Sequence, residues 1–129
     1  MRTIVVADLP TSVKTGTIGT TFNGGGAVIQ TGYQASITAP FGMTITNWQV
    51  VSIGTSGLLS GSIVVDLYRS GASIIGGGNK PTLSSASSGN AAVSGWTSVT
   101  VSAGDILLFN ITSATTVTNV TLTITGTIS

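Results

Sequence analysis

The chain has 129 residues and a mass of 12.8 kDa, the size of one domain with one hydrophobic core. Only 5% of it is charged, four basic and three acidic residues for a net charge of +1, which leaves no basic stripe for a nucleic-acid backbone. Cys and His are both absent, and with them disulfides, thiolate metal sites, the usual general base and the imidazole metal ligand.

The mean hydropathy is +0.54, yet the apolar runs are short, as in Ile106-Leu107-Leu108-Phe109. None nears the roughly 18 apolar residues of a membrane helix, so no membrane partner is expected. The first residues, Met1-Arg2-Thr3-Ile4-Val5-Val6-Ala7-Asp8, are too short in apolar stretch for a signal peptide. The hydropathy comes instead from Thr (22) and Ser (17) standing where Lys and Glu usually stand. A surface with so little charge repulsion favours association.

Thr, Val, Ile and Gly dominate and strong helix formers are scarce, so strands are expected throughout. In chain order, residues 1–13 read as an arm, interrupted by Pro10, ahead of a body at 14–129. Strands are expected at 3–6 in the arm, then at 14–22, 27–38, 43–53, 62–69, 96–101, 105–112 and 117–127. Period-two alternation carries the assignment: Tyr33, Ala35 and Ile37 against Gln34, Ser36 and Thr38, and Val120, Leu122 and Ile124 against Thr121, Thr123 and Thr125. Turn residues separate the runs, among them Asn23-Gly24-Gly25-Gly26, Gly76-Gly77-Gly78-Asn79 and Ala103-Gly104-Asp105. Residues 70–95, rich in Gly, Ser, Ala and Asn, read as one long connection. About eight strands without a crossover helix predict an all-β fold, an antiparallel, jelly-roll-like β-sandwich.

Two segments are apolar on both faces, 47–53 (Asn-Trp-Gln-Val-Val-Ser-Ile) and 105–111 (Asp-Ile-Leu-Leu-Phe-Asn-Ile). Either one face is core and the other a subunit interface, or a bulge turns both sets inward. The candidate interface residues are Leu107 and Phe109, together with Thr3, Ile4, Val5, Val6 and Ala7 of the arm, whose apolar run would add to a neighbouring sheet edge.

Catalytic chemistry finds little footing. The carboxylates are Asp8, Asp66 and Asp105; Asp66 is expected on the outer face of its strand, and Asp105 caps a turn. Gly76-Gly77-Gly78-Asn79-Lys80 lacks the Ser or Thr and the helix of a phosphate loop, since Pro81 follows Lys80. No catalytic residue, metal or cofactor is therefore expected. Trp48 and Trp96 read as core anchors ahead of a sugar-stacking platform. The row Thr121, Thr123, Thr125, Thr127 looks like an ice-binding ladder, but that chemistry needs the row repeated on neighbouring strands, and the sequence displays no such repeat.

An ordered set of motifs resembles a known family. Gly24-Gly25-Gly26-Ala27-Val28-Ile29-Gln30-Thr31-Gly32-Tyr33 precedes Thr44-Ile45-Thr46-Asn47-Trp48. Gly61-Ser62-Ile63-Val64-Val65-Asp66-Leu67-Tyr68 and Lys80-Pro81-Thr82-Leu83-Ser84-Ser85-Ala86 come next. Gly95-Trp96-Thr97, Ala103-Gly104-Asp105-Ile106-Leu107-Leu108-Phe109-Asn110 and Ser113-Ala114-Thr115-Thr116-Val117-Thr118-Asn119-Val120-Thr121-Leu122 complete it. The set, across residues 22–125, resembles the β-sandwich domain of tailed-bacteriophage virion proteins, as in capsid decoration (cement) proteins and tail-fibre tips. The resemblance implies a structural or adhesive role, usually in homotrimers, with no catalytic residues. Fibre versions sit behind a long stem and elaborate their loops, whereas the segment from Leu67 to Lys80 is short and Gly-rich here. The expectation is therefore a trimeric cement protein on the capsid exterior, with itself and the major capsid protein as partners. The alternatives are a tail-fibre or head-fibre tip adhesin that binds host surface glycans, and a cellular carbohydrate-binding module.

Overall fold

The computed structural model describes residues 15–128. The expected strand at 3–6 and the interface candidates Thr3, Ile4, Val5, Val6 and Ala7 lie outside the described residues. Eleven strands follow in chain order: β1 (Thr15–Asn23), β2 (Gly32–Thr38), β3 (Met43–Gly54), β4 (Gly57–Leu58), β5 (Gly61–Arg69), β6 (Ala72–Ser73), β7 (Thr82–Ala86), β8 (Ser88–Ala92), β9 (Thr100–Val101), β10 (Ile106–Thr115) and β11 (Asn119–Ile128). The two-residue strands β4, β6 and β9 are short additions to a frame of eight longer ones.

The frame is two antiparallel sheets. One has the order β1-β11-β3-β8, with β4 and β9 lying beside the ends of β3 on the edge that β8 also uses. The other has the order β2-β10-β5-β7, with β6 beside the end of β5. Successive long strands switch sheets or cross over so that the last two, β10 and β11, each fill the centre of a sheet begun by β2 and β1. That interleaving of two Greek keys is the jelly roll.

The alternation of the sequence becomes the two faces of each sheet. On β1, Ile18 and Phe22 point inward between exposed Thr17, Gly19 and Thr21; on β11, Val120, Leu122 and Ile124 do the same between threonines. Phe22 of one sheet meets Phe109 of the other edge-on, ring centroids 6.0 Å apart, so a single aromatic contact spans the core. Met43, Ile45, Trp48, Val50, Leu67 and Ile111 fill the rest.

Three expectations change. Residues 82–92, expected inside a connection, form β7 and β8; of their side chains only Leu83 is buried, so no apolar alternation announced them. The expected strand 27–38 begins only at Gly32, because Gly25, Gly26 and Gly32 hold positive φ (66°, 91° and 105°) and Ile29 is instead tucked in as a plug bonded to Val117 O. Of the expected 96–101 strand, only Thr100–Val101 pairs.

Candidate functional site

Every charged side chain in the described region is spoken for inside the fold. Asp66 is 6% exposed. Its Oδ1 accepts from Leu67 N (2.8 Å) and Ser73 Oγ (2.7 Å), and Ser73 Oγ accepts from Gly76 N (2.9 Å). The carboxylate therefore pins the 73–76 loop over the outer side of β5. Asp105 Oδ2 accepts from Ser102 N at 2.9 Å, which closes the turn as expected, and lies 3.7 Å from Arg69 Nη1. Arg69 also donates to Thr100 O and to Ser98 Oγ. Lys80 Nζ donates to Gly76 O at 3.1 Å, so the Gly-rich loop spends its lysine on its own backbone. Among the described residues no three His, Cys, Asp or Glu side chains group as metal ligands.

The tryptophans serve the body. Trp48 is buried, while Trp96 is half-buried and donates Nε1 to Asn79 O (3.0 Å) and Oδ1 (2.9 Å). Asn79 in turn bonds Ala92 O and Ser94 N, so this knot fastens the chain where it leaves β8.

What remains for contact is the two outer sheet faces and one end. On the β1-β11-β3 face, the pairing of β1 with β11 sets Thr15, Thr17 and Thr21 directly opposite Thr127, Thr125 and Thr121. The repeat that the sequence did not display is thus made by strands a hundred residues apart; Thr21 Oγ1 and Thr121 Oγ1 lie 3.4 Å apart. Thr44, Asn47 and Gln49 of β3 continue the rows. The face is uncharged and rich in hydroxyls.

The β2-β10-β5 face is different. Leu107 and Phe109, the expected interface pair on β10, are 1% and 0% exposed and belong to the core. Their neighbours Ile106 (58% exposed) and half-buried Leu108 take the outer side. From Ile106 to Ile111 the alternation is strict, and the register shifts beyond Phe109 against β2 and beyond Ile111 against β5 do not turn the outer set inward. Of the two possibilities open for the doubly apolar segment, the outward apolar face is the one realised. Tyr33, 58% exposed, leans edge-on against Tyr68 with centroids 5.5 Å apart, and the pair extends the apolar patch across the three strands.

At one end of the sandwich Asn23, Gly26, Ile53, Gly54, Thr55, Thr118 and Asn119 line a shallow hollow of about 220 Å³. None of these seven residues is titratable.

No family model matches the chain, and no curated protein does. Among solved structures, 88% of the chain aligns with a structure of infectious bursal disease virus, Gx strain, at 10% identity and a TM-score of 0.29; it spans about a third (34%) of that viral chain. A crystal structure of FLHE aligns over 88% of this chain and 93% of that one, at 11% identity and a TM-score of 0.28.

Proposed function

We propose that the protein is a non-enzymatic virion structural protein of a tailed bacteriophage, a homotrimeric cement protein on the capsid exterior with the major capsid protein as its partner. The observation that carries the reading is the disposal of charge: Asp66, Arg69, Lys80 and Asp105 are all engaged in internal contacts. Among the described residues no exposed charge stands on either outer sheet face, and one face bears an apolar patch. Such faces suit many weak repeated contacts on a lattice. The patch of Ile106, Leu108, Tyr33 and Tyr68 packs around the trimer axis. Burial of roughly 1,000 Å² of apolar surface is worth on the order of 25 kcal/mol before association costs, enough to make shell expansion hard to reverse.

A glycan-binding tip is expected to present aromatic rings from loops. Of the aromatic side chains described, only Tyr33 is exposed, and it stands on a strand against Tyr68; this supports the cement reading over the adhesin. Particles that lack the protein are expected to adsorb to host cells normally and to burst at lower temperature or milder osmotic shock. Particles that keep their robustness and lose adsorption would give the role to the adhesin.

A further inference from the structure

Among the described residues one sheet edge, that of β1 from Thr17 to Asn23, is left unguarded. β2 is bulged at Gln34, between partners of Phe109 and Asn110, and runs into Pro40. β7 is five residues long and shifted in register against β5, and β8 is also only five residues long, with Asn79 bonded to its last carbonyl at Ala92. β1 is nine residues long, pairs with β11 without a single register shift, and contains neither Pro nor a charge. Natural sheets blunt their edges with those very devices, so a long, regular, neutral edge is a template for a further strand.

The register says which groups that edge offers. Gly24 N donates to Thr118 O, its direct partner in the continued β1–β11 ladder. Antiparallel pairs alternate between bonded and non-bonded, so the even residues of β1 bond to β11. Thr17, Gly19, Thr21 and Asn23 therefore aim their N–H and C=O groups away from β11, at the open edge.

We infer that this edge is a strand-addition site and that its occupant is the segment Thr3-Ile4-Val5-Val6-Ala7 of a second copy of the chain; the inference deepens the self-association reading and rests on it. Fourteen residues precede Thr15, and they enter the fold at one end of this same edge. As a strand Thr3–Ala7 spans ~17 Å, about half of the ~30 Å of β1, and the seven residues that join it to Thr15 extend up to ~23 Å, enough for the segment to leave its own chain for a neighbour's edge. Thr3–Ala7 is uncharged, β-branched at four of five positions and free of Pro, a strand-forming composition. Doubling back onto the chain's own β1 would need a loop across Asp8–Thr15, longer than the two to five residues usual for hairpins. That loop would also contain Leu9-Pro10, a dipeptide biased toward extended backbone.

Amide hydrogen exchange by NMR on the full chain, over a dilution series followed in parallel by light scattering, reads this edge directly. In the associated form the amides of Thr17, Gly19 and Thr21 should exchange at least about tenfold more slowly than after dilution, while Ile18, Thr20 and Phe22 stay protected throughout. The full-chain variants Val5→Pro, in the added segment, and Thr21→Pro, on the edge, should each abolish the odd-numbered protection. Protection that persists unchanged at every dilution means the segment folds onto its own β1 and overturns the second copy as occupant. Oligomers whose odd-numbered amides exchange freely overturn the edge while the self-association reading stands. A monomer at every concentration removes both.

Discussion

Asp66 was legible as a carboxylate on the outer side of its strand, since Val65 and Leu67 beside it had to point inward. Its burial was not, because the loop that covers it arrives through Ser73 and Gly76, whose contacts no periodicity announces. Asp105 was legible in full, because its partner Ser102 is three residues away and turn chemistry is local. Two residue-scale outcomes follow. Asp66→Ala orphans the Leu67 and Ser73 donors and should cost about 1–3 kcal/mol in chemical denaturation; Asp66→Asn, which keeps an acceptor at Oδ1, should cost less. Ser52 is fully buried and its Oγ has no hydrogen-bond partner among the described residues. Ser52→Ala removes an unsatisfied polar atom and should raise the stability by about 1 kcal/mol, visible as a higher Tm.

At the scale of elements, strands with apolar alternation, β1, β3, β5, β10 and β11, stood where the sequence put them to within a few residues. β7 and β8 escaped because strands at a sheet rim bury little: they are held by pairing with β5 and β3, and their Ser, Gly and Ala side chains carry no period. The threonine rows escaped for another reason. Each row is visible alone, but their alignment depends on a register between Thr15–Asn23 and Asn119–Ile128 that only the closed fold sets. Bulges are equally silent in sequence and equally consequential. Opposite the β3 bulge at Thr46, a Cβ on Gly126 would stand 2.2 Å from Thr44 O and 2.7 Å from Met43 Cε. Gly126→Ala should therefore force the two central strands apart and cost about 1–3 kcal/mol or more, whereas Gly77→Ala, which meets nothing within 4 Å, should be close to neutral.

For the whole molecule, the sandwich was readable from composition and spacing; its strand order was not, because two of the eight long strands, β7 and β8, lay inside an expected connection. The outward apolar patch was readable only in kind: a doubly apolar β10 left open either an outward apolar face or an inward bulge, and the alternation of the strand puts Ile106 and Leu108, not Leu107 and Phe109, on the outside. Ile106→Lys places a charge on that face without touching the core, so it should leave the Tm nearly unchanged and weaken the oligomer. The central claim is that this sparsely charged molecule works as an assembly. Light scattering of the purified full chain at micromolar concentration tests it most directly. The account predicts a particle of three 12.8 kDa chains that Ile106→Lys dissociates; a stable single chain at the same concentration would contradict it.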